Sequence, residues 1–135
     1  MNNFEKLLAE YDKELLFKFR KDMPNGLPAL LVDKTIYINP EVEFNKAIEY
    51  VAEEIGHHNT LADGVDISDY KDLNKYKLEK KGRECGYKKL VPKEKLIDFI
   101  SVKEQVMPYE IAEEFGLTDD YIAEAVNMYK VKGEL

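Results

Sequence analysis

The chain is poor in the features that mark secreted and membrane proteins. It has a single cysteine, Cys85, in 135 residues, which excludes an internal disulfide and suits a reducing compartment. The first twenty residues carry charges throughout and lack an apolar core segment, so no secretory leader is expected. No apolar run approaches the roughly 20 residues that a helix needs to span a bilayer. Basic residues are not in excess: 20 Lys and Arg stand against 27 Asp and Glu, a net charge of −7. General nucleic-acid binding is therefore disfavoured unless a local basic patch exists. There is no internal repeat and no low-complexity segment. These absences point to a cytoplasmic globular protein. With 44% hydrophobic and 35% charged residues the chain has the ordinary composition of one. It is long enough to bury roughly two-thirds of its unfolded surface in one compact domain.

Periodicity predicts a mostly helical chain. Phe4, Leu7, Leu8, Tyr11, Leu15 and Phe19 recur at three- and four-residue spacings, which predicts a helix over 3–19. Pro24, Gly26 and Pro28 break that pattern. "ALLVDKTIYIN", 29–39, reads as a β-hairpin turning at Asp33-Lys34. A helix is expected over 41–58, a loop over 59–70, and helices over 72–90 and 93–101 separated by Pro92. The C-terminal stretch reads as two helices with a turn at Gly116 and an N-cap at Thr118. One hairpin among many helices predicts an α+β fold.

"YVAEEIGHHNT", 50–60, carries the only two histidines. At about 100° per residue its apolar face centres near Ile55. Glu53 and His57 then point roughly 160° away, stacked at i and i+4, with Glu54 on the flank and His58 near the edge of the apolar stripe. A helical His-Glu-x-x-His motif binds zinc through its histidines and uses the glutamate as a base. Here Glu53 stands at the first histidine position, and zinc accepts carboxylate oxygen as well as imidazole nitrogen. Two readings of this helix stand side by side: a metal site with ligands Glu53 and His57 and base Glu54, or a surface carboxylate–imidazole pair worth a few tenths of a kcal/mol. His58 is the further candidate ligand; the alternative for it is a packed or capping residue near the helix end.

A third ligand has to come from elsewhere. In "LEKKGRECGYKKLVP", 78–92, Glu79, Gly82, Gly86 and Leu90 form one helical stripe. Two glycines on one face remove bulk, so a neighbouring helix can approach. If that neighbour is the 41–58 helix, Glu79 is carried toward Glu53 and His57. Gly56 inside that helix invites the same explanation, a close approach of backbone. Cys85 lies off the stripe and reads as a packing residue.

Taken together, these segments resemble the ImmA/IrrE family of metallopeptidases from prophages, other mobile elements and stress regulators. The resemblance runs from "GLPALLVDKTIYIN" through "YVAEEIGHHNT" and "EKKGRECGYKKLVPKEKLIDFI" to "YEIAEEFGLTDDYIAEAVNMY". Compact phage-type members often read Glu-Glu-x-Gly-His-His at the motif. Their later helix usually carries glutamate, then alanine-arginine and a second alanine, then leucine and proline. Glu79, Arg83, Leu90 and Pro92 match those positions, with Gly82 and Gly86 in place of the alanines. The resemblance implies a zincin-like domain over 1–101, mostly helical with a small N-terminal hairpin or sheet. It implies a helix-turn-helix-like extension over 102–135 packed on the same domain. It implies Glu54 as general base and Glu53, His57 and Glu79 as ligands to zinc. A carboxylate at Glu53 gives the ion more negative charge than an imidazole would, which shifts preference toward harder metals such as manganese. The implied activity is a metallo-endopeptidase that cleaves a helix-turn-helix repressor and so derepresses the element's genes.

Two other readings remain from the residues themselves. One is a non-catalytic zincin-like protein that binds the regulator. The other is a DNA-binding transcription factor using the C-terminal helices. Asp119, Asp120 and Glu124 on the would-be recognition helix speak against the latter, since phosphates would repel them. A protein-contact role is expected there, with no direct nucleic-acid or membrane partner. The 71–95 segment is the basic part of the chain, expected as a solvated helix face or a guide for an acidic segment.

Overall fold

The computed structural model describes residues 3–62 and 72–135. Among the described residues, six α-helices and three short strands follow one another in the order α1 (Asn3–Glu10), β1 (Leu16–Phe19), β2 (Ala29–Val32), β3 (Thr35–Ile38), α2 (Phe44–Ala62), α3 (Asp72–Leu90), α4 (Lys93–Ser101), α5 (Pro108–Phe115) and α6 (Asp119–Val131). The class is α+β, mostly helical, with one three-stranded sheet. No described helix is long and apolar enough to cross a membrane.

The first helix is shorter than its periodicity predicts. Phe4, Leu7 and Tyr11 are buried on one face, but the helix stops at Glu10 and Leu16–Phe19 pairs with β3 as a parallel strand. Leu15 and Phe19 mimic a continuing helical face by their i, i+4 spacing, yet Leu15 is buried and Phe19 is 64% exposed. A non-local pairing overrides the local preference here. The 41–58 helix likewise starts three residues later, at Phe44, and runs on to Ala62. The rest of the loop expected over 59–70 lies outside the described residues.

The hairpin forms as expected. Val32 pairs with Thr35 across Asp33-Lys34, and Asp33 takes the positive φ of 55° that a two-residue turn requires. The sheet order is β1-β3-β2, so β2 lies at an edge. The Asn39 N–H donates to the Pro28 carbonyl at 2.9 Å, which marks that pair as hydrogen-bonded. Bonded pairs alternate along an antiparallel ladder, so Leu30 and Val32 are directed at β3. The backbone groups of Ala29 and Leu31 therefore point toward the outer edge.

Ile36 and Ile38 of the sheet join Val51, Ala52 and Ile55 of α2 in a core that also takes in Val91, Leu96, Ile122 and Tyr129. α6 is fastened to this core by the Tyr129 hydroxyl, which donates to the Val91 carbonyl at 2.7 Å. The turn before it follows the expected pattern. Gly116 is left-handed at φ 68°, closing α5, and Thr118 Oγ1 caps α6 by accepting from the Tyr121 N–H.

Candidate functional site at the seam of two helices

α2 and α3 meet through their glycines. A Cβ built on Gly56 would fall into the backbone of Gly82, 2.9 Å from its carbonyl carbon and 3.0 Å from its Cα. A Cβ on Gly82 would lie 2.8 Å from His57 Nδ1, so the imidazole is stacked on the space a side chain would fill. Gly86 meets the α2 backbone at Ala52 and Glu53, both 3.4 Å from a built Cβ. The small-residue stripe of α3 thus faces the motif helix, as its spacing suggested, and the face of α2 opposite Ile55 is turned to α3 rather than to open solvent.

Three carboxylates and one imidazole are carried by the two helices at or beside this seam. Glu53 is largely covered, and its Oε1 lies 3.5 Å from Arg83 Nε. Glu54 is held well above the ordinary carboxylate range, at about 7. Burial is the main cause, with the negative charges of Glu53 and Glu79 adding to it; the Leu31 backbone at the β2 edge works the other way, as a donor to the carboxylate. Glu79 stands exposed at the rim, where it shares a cleft of about 680 Å³ with Glu53, Lys80 and Arg83. His57 Nδ1 is buried and has no hydrogen-bond partner. His58 is turned elsewhere, with its Nε2 3.6 Å from Glu14 Oε2. The structure therefore brings Glu53, His57 and Glu79 to the α2–α3 seam, turns Glu54 toward the β2 edge beside it, and leaves His58 outside.

Among the described residues, no three His, Cys, Asp or Glu side chains are drawn together tightly enough to hold an ion. The donor chemistry nevertheless fits a divalent cation. One imidazole has a buried nitrogen without a partner, and Glu54, raised mainly by burial, is raised further by the charges of Glu53 and Glu79. Positive charge at the seam would relieve both.

Several contributing residues have no motif to announce them. Glu49, one helical turn before Glu53, is buried and accepts from the Thr118 N–H at 2.7 Å and the Thr118 hydroxyl at 3.0 Å. Desolvation, its largest influence, pushes it above its ordinary value. Tyr87, one turn after Arg83, donates to Glu124 Oε2 of α6 at 2.6 Å. The i±4 spacing from Glu53 and from Arg83 is the signal that could have found Glu49 and Tyr87.

The raised Glu54 has a consequence for stability in metal-free protein. A carboxyl whose folded value lies above its unfolded one carries no penalty below about pH 4.5, and the penalty grows until the group is fully ionised above about pH 7. Stability should fall as pH rises through that window, by on the order of 2–3 kcal/mol from Glu54. Glu49 acts in the same direction, so the difference between wild type and Glu54→Gln isolates Glu54. Urea denaturation in chelator at pH 5 and pH 8 measures it, and equal slopes for the two proteins would contradict the assigned shift.

Comparison of the chain with protein-family models, with curated proteins and with solved structures gives no match.

Proposed function

We propose that this protein is a metal-dependent endopeptidase of the zincin-like, ImmA/IrrE type. The observation that carries this reading is the glycine-mediated contact of α2 with α3. It sets the His57 imidazole against α3, beside an open cleft that Glu53 and Glu79 share, and Glu54, a carboxyl near neutrality, adjoins Glu53 on the β2 side. Glu53, His57 and Glu79 are the residues that would hold the ion, zinc or manganese. When bound, the ion supplies Lewis acidity to a water and to the scissile carbonyl.

The other steps belong to the chain. Glu54 accepts the proton of the attacking water and returns it to the leaving amine. A carboxyl at about 7 is matched to both transfers near neutral pH. The edge of β2 runs beside Glu54, and an extended polypeptide can pair with such an edge through its main chain. Arg83 balances the charge of Glu53 while the seam is without an ion. By resemblance the substrate is a helix-turn-helix repressor of a mobile element.

The contact of Arg83 with Glu53 also favours a second reading, a non-catalytic protein that binds the regulator, because it offers Glu53 a partner other than a metal. DNA reading by α6 is disfavoured. A recognition helix presents its N-terminal residues to base edges. Here the first turn of α6 carries exposed Asp119 and Asp120, and the N-cap residue is held by the Glu49 carboxylate. The test is metal analysis of protein purified without chelator. The zinc- or manganese-loaded protein is then incubated with the helix-turn-helix regulator encoded beside its gene, read by mass spectrometry. One defined cut is expected; binding without any cut would replace the catalytic reading with the second.

A further inference from the structure

Beside Glu53, a cavity of about 270 Å³ opens between α2, α3 and the first turns of α6. Its walls combine three tyrosines, Tyr50, Tyr87 and Tyr121, with four acids, Glu49, Glu53, Asp120 and Glu124. Two cations border it, Arg83 and Lys46, and each is drawn to an acid of the walls. Arg83 lies 3.5 Å from Glu53, and Lys46 is attracted by Glu49, itself bonded to Thr118. Among the described residues, neither Asp120 nor Glu124 takes part in an ion pair. A separate observation concerns Tyr121, whose hydroxyl is buried without a hydrogen-bond partner. Its ring meets that of Tyr87 edge to face, with centroids 5.0 Å apart and planes at 69°.

This chemistry suits one class of ligand. Tyrosine faces attract a cation, and carboxylates without a cationic partner accept its charged hydrogen bonds. An anion would meet net negative charge, and an apolar group would leave the acids desolvated and unpaired. The volume falls just below the range of pockets that enclose whole small molecules, and fits one extended side chain. We propose that the cavity receives a lysine or arginine side chain of a polypeptide lying in the adjoining cleft, so that the C-terminal helices supply a specificity pocket. The role within a substrate rests on the peptidase reading above; the binding chemistry does not.

Two measurements separate these layers. In the first, isotope-labelled, metal-free protein is titrated with Nα-acetyl-arginine methylamide and with the neutral, isosteric citrulline analogue, followed by NMR. The arginine compound should shift the amides of Tyr50, Tyr87, Tyr121 and Glu124, with the citrulline compound at least about tenfold weaker because it lacks the charge. Asp120→Asn, which leaves the Tyr87–Glu124 bond intact, should weaken arginine binding severalfold, and Glu124→Gln should do so too. Equal binding of both compounds, or shifts confined to other surfaces, overturns the proposal. In the second, metal-loaded protein digests a mixed peptide library. Enrichment of Lys or Arg at one position relative to the cut supports the pocket; cleavage without basic preference overturns it. No cleavage, with arginine-selective shifts intact, sinks the peptidase reading and leaves the cavity's ligand established.

Discussion

Gly56→Ala should cost about 3 kcal/mol or more of stability, although alanine is the better helix former. In a helix interior the exchange gains close to 1 kcal/mol. Against that gain stands the position of the new methyl group, which would overlap the Gly82 carbonyl and come within 2.9 Å of its carbon and 3.0 Å of its Cα. These are backbone atoms of α3, and no rotamer change moves them. Relief requires the two helices to separate along their whole contact, which also loosens Gly86 from Ala52 and Glu53. Overpacking usually costs about 1–3 kcal/mol, and more when nothing soft can yield. For a domain with roughly 5–15 kcal/mol in total, that is a large share. Gly82→Ala is the informative control. Its methyl group meets His57 Nδ1 at 2.8 Å and Cε1 at 3.0 Å, the end of a side chain that can turn. Its stability should stay within about 1 kcal/mol of wild type, since the helix-propensity gain offsets much of the strain. Urea denaturation followed by circular dichroism measures both. A Gly56→Ala protein as stable as wild type would mean that the two helices do not meet as described.

The same glycines show why part of the site was legible in the sequence. A helical wheel needs only local geometry, and it correctly put Glu53 and His57 on the side opposite Ile55. It also put Gly82 and Gly86 on one stripe, and glycine on a helix face has few reasons to be there other than close approach. Asp72–Leu90 and Lys93–Ser101 keep their expected bounds because Pro92 separates them. β1 was not legible, because its evidence lies in β3, some twenty residues away, while Leu15 and Phe19 carry a false helical period. Nor was the other wall of the cleft. Thr118 meets Glu49 across 69 positions and Glu124 meets Tyr87 across 37. Nothing in either segment alone announces such a pairing. The opposite packing of neighbours on one helix was legible only in part: His58 was expected near the buried stripe, but its approach to Glu14 depends on where the chain turns before β1.

Replacing Glu54 by glutamine should leave metal content and partner binding unchanged and lower cleavage at least about 100-fold, the usual contribution of a general base. Glutamine keeps the size of the side chain and its contact with the β2 edge, and it lacks only the group that accepts a proton. Glu54 is separated from the proposed ligands by its direction on α2: Glu53 faces Arg83 across the seam, whereas Glu54 is turned toward the Leu31 backbone. His57→Ala should behave differently and lose metal and cleavage together, because Glu53 and Glu79 alone make a poor zinc site. The comparison also separates catalysis from folding. Glu54→Gln removes a carboxyl that is costly to ionise, so the variant should be at least as stable as wild type at pH 8 in chelator. Loss of cleavage in a protein that is equally or more stable cannot be ascribed to unfolding. If Glu54→Gln cuts the regulator as fast as wild type, another group carries the proton and the mechanism assigned to this seam is wrong, even though the protein is a protease.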